Sequence, residues 1–255
     1  MKNAWIIAKR DMGSYFNSPV FYVVTTVFLV LFSYIFFTIL NVFSMQSLQA
    51  GQLRGMGISM NLNQMVIAPS LANMAVMLLL IIPLLTMRSF AEEKKNKTFA
   101  LLLSSPVHLK EIILGKFLAC IGMVTLMILI TGYSTGFLFW MGQPEIGPIL
   151  TGYLGMILMA GCYIAMGVFA SSLTDNQIIA AVLGFGFCLF MWIIGWTSQV
   201  VGGNFGQVLE YLSLIDHLER FLKGILDTSD LAYYLSFIAF FLFLTHRVLD
   251  SQRWR

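Results

Sequence analysis

Residues 148–173 read PILTGYLGMILMAGCYIAMGVFASSL, and residues 178–200 read IIAAVLGFGFCLFMWIIGWTSQV. Neither run contains Asp, Glu, Lys or Arg, and only Thr174 to Gln177 separate them. Each exceeds the roughly 20 apolar residues that a helix rising about 1.5 Å per residue needs to cross a bilayer core. Two such runs joined by a turn read as a helical hairpin in a membrane. Working outward, the same test finds 20–43, 69–87, 117–141 and 231–245. The 15 Lys and Arg and the 12 Asp and Glu all fall outside these six stretches. A charge at the bilayer centre costs at least about 2.5 kcal/mol, which explains the exclusion. The sixth stretch is short, but it spans if Arg247 snorkels to the interface and Val248 and Leu249 extend the helix, giving limits of 229–249.

Composition agrees with this reading. Hydrophobic residues make up 58% of the 255 and charged residues 11%, whereas a soluble domain carries about 25% charged residues. The mean hydropathy is +0.83. Cys120, Cys162 and Cys188 each stand alone in apolar surroundings and read as small packing residues, with no disulfide framework. His108, His217 and His246 lack metal-ligand spacing. The first 19 residues are mixed, and the apolar run after them is too long for a signal-peptide core, so it reads as a retained span. The 16 Met and 22 Phe suit lipid-facing packing better than a pliable apolar pathway.

Lys and Arg placement predicts the orientation. Lys2, Lys9 and Arg10 precede the first span. Arg88, Lys94, Lys95, Lys97, Lys110 and Lys116 lie between the second and third, and Arg247, Arg253 and Arg255 follow the last. The alternate connections hold only Arg54, Arg220 and Lys223. Twelve against three places both termini in the cytoplasm.

Three connections exceed a turn. Residues 2–17 read as an amphipathic interfacial helix, with Trp5, Ala8, Met12 and Phe16 on one face and Lys9 and Arg10 reaching anionic headgroups. Ser18 and Pro19 then suit the cap and first position of span one. Arg88 to Ser104 reads as one cytoplasmic helix, charged at its start and apolar at its end, after which Ser105-Pro106 opens the next. In 205–226, Phe205, Leu209, Leu212, Ile215, Leu218, Leu222 and Ile225 recur at helical spacing, which predicts one external amphipathic helix.

No engine is visible. Gly115-Lys116 lacks the upstream glycine of a phosphate-binding loop, so Lys116 reads as an interface anchor. No nucleophile–base set is spaced for catalysis, so the chain is not expected to be an enzyme. The spans contain no buried acid for proton coupling, which disfavours a secondary transporter. Gly155, Gly161 and Gly167, with Gly184 and Gly186, admit either a helix-packing reading or ordinary membrane glycine usage.

The run from Arg88 (RSFAEEKKNKTFALLLSSPV), followed by EIILGKF from Glu111, resembles the ABC-2 type permease pattern. There a Glu, a Gly-Thr pair, a leucine run and Ser-Pro follow span two, and Gly-Lys opens span three. Glu93, Thr98, Leu101 to Leu103, Ser105, Pro106, Gly115 and Lys116 match, whereas Lys97 stands where Gly is usual. The N-terminal AWIIAKRD with FNSP, and the segment from Tyr211 to Asp227, are also similar, most of all to the gliding-motility-associated subgroup.

The resemblance implies a single ABC-2 type transmembrane domain over 1–255. Its fold would be all-α and integral to the membrane, with an N-terminal interfacial helix, six transmembrane helices, a cytoplasmic coupling helix between spans two and three, and an external helix between spans five and six. It would pair with a second permease, as homo- or heterodimer, and with two copies of a separate ABC ATPase subunit that binds the ATP; the chain itself would bind no cofactor. The coupling helix would dock on the ATPase through Arg88, Glu92, Glu93, Thr98, Phe99, Leu102, Leu103, Ser105 and Pro106. Glu93 would make a charge-assisted contact or cap the loop, and Phe99, Leu102 and Leu103 would form the apolar part of the docking face. The setting would be the bacterial cytoplasmic (inner) membrane, with the bilayer and an accessory envelope protein as further partners and no nucleic acid. The expected function is a permease of an exporter; the alternative is a non-transporting module that transmits ATPase motion to an envelope partner.

Overall fold

Proline has no backbone N–H and a fixed φ, so it starts helices and ends what precedes it. In the computed structural model, which describes residues 2–52, 61–99, 107–200 and 203–253, Ser18 alone separates α1 (Lys2–Asn17) from α2 (Pro19–Gln52). α2 outruns the expected 20–43, because no proline or glycine interrupts it before Gly51. Its buried stripe is Phe21, Phe28, Phe32 and Phe36, the last three stacked ring on ring at 6.4 Å. Val23, Val30 and Tyr34 on its other side are exposed.

A π-helical turn (Asn63–Ile67) leads into α3 (Ala68–Thr86). The Ala68 N–H reaches five residues back to the Asn63 carbonyl, next to Pro69, which has no N–H to give. Asn63 itself is buried and pairs through both ends of its amide with the Glu145 backbone, at 2.8 and 3.1 Å. Pro83 lies inside α3, one turn before the junction at Met87.

α4 (Arg88–Lys95) ends well short of the expected Ser104. The Lys97 amide bonds to the Lys94 carbonyl at 3.0 Å and the Thr98 amide to the Glu93 carbonyl at 2.9 Å. That is a Schellman stop, and Lys97 occupies its left-handed position at φ 57°. The position usually held by Gly in the family pattern is thus the one where the backbone favours Gly.

α5 (Leu109–Ile130) and α6 (Gly132–Met141) form the third span, pinched at Thr131, whose amide and hydroxyl both bond to the Ile128 carbonyl. α7 (Ile146–Leu173) and α8 (Gln177–Val200) follow, as the opening hairpin predicts. The single external helix expected over 205–226 is two, α9 (Asn204–Leu212) and α10 (Leu214–Leu222). Ser213 breaks them: it is extended at ψ 122°, and its hydroxyl caps α10 by accepting the Asp216 amide at 3.2 Å. α10 is a wedge rather than a surface helix, since Leu214, Leu218, Phe221 and Leu222 are buried against α7, α8 and α3. α11 (Thr228–Arg253) ends the fold.

Among the described residues there is no strand, and six helical segments are long and apolar enough to cross a membrane. The chain is a multi-pass membrane protein. α7 forms its axis: 78% of its most apolar window is buried, against 17% for α2. Glycines allow this enclosure. A methyl at Gly155 would stand 2.7 Å from Phe221 Cβ, and one at Gly167 only 2.1 Å from Thr86 Oγ1. Gly161 meets Ile238 in the same way, whereas Gly186 faces open space, so the packing reading applies along α7 and not at Gly186. Met74, Met123, Met127, Met156, Met159 and Met166 line this interior instead of facing lipid. Cys120, Cys162 and Cys188 are buried and unbridged.

Both ends of the chain come to one end of the bundle. α1 lies along the start of α5, and Gln252 reaches the Ser172 carbonyl at the end of α7. This charged end also carries α4; α9 and α10 occupy the far end.

Candidate functional site at the charged end

Gly115 lets α1 settle on α5, for a methyl there would stand 2.8 Å from the Ala4 carbonyl. Ala4 and Ala8 are buried in this seam, and Met12 packs over Gly122. Trp5, 65% exposed, and Phe16 point away with Ile6 and Lys9. The four residues expected on one face of α1 therefore divide between two: Ala8 and Met12 dock on α5, and Trp5 and Phe16 do not. Asn3 bonds Glu111 at 2.9 Å, and the Tyr15 hydroxyl donates to the Leu85 carbonyl at 3.1 Å. Burial pushes the Tyr15 hydroxyl well above its ordinary pKa, so it remains a protonated donor.

Lys116 is the hub. Its side chain is only 5% exposed, so the reading of an interface anchor gives way to a buried cation that needs partners. Its ammonium lies 2.7 Å from Glu93 Oε1 and 3.4 Å from Asp11 Oδ2, and 5.2 Å from the centre of the Phe90 ring. Arg10 pairs with Asp11 at 2.9 Å and reaches Glu93 at 3.9 Å. One ion network thus joins α1, α4 and α5. Glu93 Oε2 is buried and without a hydrogen-bond partner among the described residues. Beside this network a cleft of about 400 Å³ opens, rimmed by Arg88, Glu92, Asn96 and Thr98.

α7 holds the rest of α4. Ser171 Oγ accepts the amides of Phe90 and Ala91 at 3.0 and 3.1 Å and donates to the Met87 carbonyl at 3.0 Å. The first turn of α4 has no side-chain cap of its own, and a serine 80 residues away serves instead. Lys94 reaches the Ser172 carbonyl, where the last carbonyls of α7 lack helical partners and its dipole favours a cation.

Of the residues singled out from the sequence, Arg88, Glu92, Glu93, Thr98 and Arg10 converge on the cleft, while Lys9 stays on the exposed face of α1. Phe99 is turned inward, edge-on to Phe90 at 6.4 Å, and is not presented for docking. Leu102, Leu103, Ser105 and Pro106 lie outside the described residues. Sequence reasoning missed Asp11, Tyr15, Ser171 and the burial of Lys116. Gly115, the residue that admits α1, was the available signal for Lys116.

The far end holds the buried acid that the sequence did not reveal. Asp230 is fully buried, 2.6 Å from His217 Nδ1 and 3.3 Å from Arg220. His217 Nε2 faces the Tyr211 carbonyl at 3.1 Å, and its ring stacks on Tyr233 at 4.1 Å. The acid is answered within the chain at the tip of the last span, which is the arrangement of a structural latch between α10 and α11. No group of three or more His, Cys, Asp or Glu among the described residues could hold a metal ion.

No curated protein matches the chain. The model of the ABC-2 family transporter protein matches residues 5–250, a span that runs from the first turn of α1 through α4 to the last turn of α11, without distinguishing the gliding-motility-associated subgroup. The chain belongs to the ABC-2 transporter family, as a membrane permease component of an ABC transporter.

Proposed function

We propose that the chain is the permease of an ATP-driven exporter, powered by two copies of a separate ATPase that dock at the charged end. The observation that carries this is the construction of α4. It is fastened to three other helices, by Glu93 to Lys116 of α5, by the same network to Asp11 of α1, and by Ser171 of α7. A short helix held this firmly passes a push to the bundle instead of absorbing it. The basic end faces the cytoplasm, where ATP is available, and the membrane is the bacterial inner membrane. The partner subunits bind the ATP; no phosphate-binding loop lies in this chain.

The contact surface follows from exposure. Glu93 is engaged inside the chain, so it supports α4 while Lys95, Asn96, Lys97 and Thr98 at its exposed tip meet the ATPase. The largely exposed α2 and α8 leave apolar surface for lipid and for a second permease.

Native mass spectrometry of the solubilised complex tests the assembly: two permeases and two ATPases are expected, and one permease per two ATPases would contradict it. Lys95→Glu with Lys97→Glu should lower ATPase copurification at unchanged thermal stability. ATP-dependent flux in reconstituted vesicles supports export; hydrolysis without flux favours a module that works on an envelope partner.

A further inference from the structure

α7 grips backbone at both ends of the molecule. At the charged end Ser171 holds the first turn of α4 through three hydrogen bonds. At the far end Thr151 donates to the Phe221 carbonyl of α10 at 2.8 Å, and Gly155 receives the Phe221 and Leu218 side chains. Between these points α7 is continuous, with no proline after Pro148 and neighbours filling its glycine faces. The covalent route is weaker. α3 leads into α4 through Met87, but Pro83 removes a helical hydrogen bond one turn earlier, so a push along it meets a weakened turn.

We infer that α7 carries displacement of α4 to the α9–α10 pair, with Ser171 as the positioning residue at one end and Thr151 at the other. α10 also walls an apolar cavity of about 260 Å³, with Trp192 of α8 and Ala75 of α3. Moving α10 resizes that cavity, so work done at the charged end is read out near the opposite face. This rests on the ATPase docking proposed above.

The test uses the permease–ATPase complex in lipid nanodiscs with two spin-label pairs. One pair, Glu92 and Ile178, reports α4 against the start of α8 and leaves the Lys95–Thr98 tip unaltered; the other, Lys223 and Phe190, reports the end of α10 against α8. Glu92 is half-exposed and the other three positions are exposed. In the parent, trapping with ATP and vanadate should shift both distances. In Ser171→Ala, and independently in Thr151→Val, the first shift should persist and the second should lose most of its amplitude. Ser172→Ala removes an equally buried hydroxyl that bonds only within α7, to the Phe169 carbonyl, and should behave as the parent does. A far-end shift of parental size in both Ser171→Ala and Thr151→Val, with α4 still moving, overturns the role of α7 and leaves the docking reading intact. A parent in which Glu92 does not move on trapping sinks the docking reading, and this inference with it.

Discussion

Lys97 holds a left-handed backbone that costs a side chain about 1–2 kcal/mol relative to the right-handed form. Since its side chain is exposed, the lysine recovers little of that. Lys97→Gly should therefore raise thermal stability by about 0.5–1 kcal/mol once glycine's extra chain entropy is subtracted. Lys97→Ala should give no such gain; an equal gain from alanine would show that backbone strain is not the cause. Lys116 makes the opposite demand, because a cation this buried must stay paired. Glu93→Ala should destabilise the fold by up to about 3 kcal/mol, the loss being limited because Asp11 remains. Lys116→Met placed with it should restore most of the loss, because a neutral chain no longer needs the acid. Thermal unfolding of the two single variants and the double variant measures the coupling, and strictly additive losses would mean that the pair is not the unit described above.

Elements are placed here by what their neighbours allow. α7 occupies the axis because Gly155, Gly161 and Gly167 let α10, α11 and α3 approach to contact distance. Gly167→Ala should lower stability by about 1–3 kcal/mol, since its methyl would collide with Thr86 Oγ1 and Cβ. Thr86→Ala should recover part of that loss. Gly186→Ala meets nothing and should be neutral or mildly stabilising through helix propensity. Melting temperatures in one detergent decide between them, and equal losses at Gly167 and Gly186 would remove the packing explanation. The short helix α4 belongs to this scale too. Its charged residues promise a long cytoplasmic helix on sequence alone, yet α4 stops at Lys95 and draws its stability from Ser171 and Lys116.

For the whole molecule, the charge distribution predicts the orientation, and the bundle brings both chain ends to one side. Ser47→Cys and Gly203→Cys should react with a membrane-impermeant thiol reagent in intact cells, and Asn96→Cys should react only after lysis. The three native cysteines are buried, which keeps the background low. Labelling of Asn96→Cys in intact cells would reverse the topology. The Asp230–His217–Arg220 cluster sits on the predicted external side, where it ties α10 to α11.

Sequence alone determined that this chain carries six segments long and apolar enough to cross a membrane. The reason is that the cost of burying a charge in hydrocarbon acts on each residue separately and leaves its mark along the chain. It also located the charged connection after span two, because its Lys and Glu residues are too costly to place in the bilayer core. Only the tertiary structure decided which span is the axis, since that is set by glycine contacts between helices distant in sequence. It likewise decided that Lys116 is a hub, that Glu93 pairs with it inside the chain, that Ser213 splits the segment 205–226 so that α10 alone forms a wedge, and that Asp230 is buried. Those outcomes depend on partners 23, 13 or 80 residues away in the chain, as for Lys116 with Glu93, Asp230 with His217 and Ala91 with Ser171. Hydropathy sums over neighbours in sequence, and pairing of this kind exists only between neighbours in space.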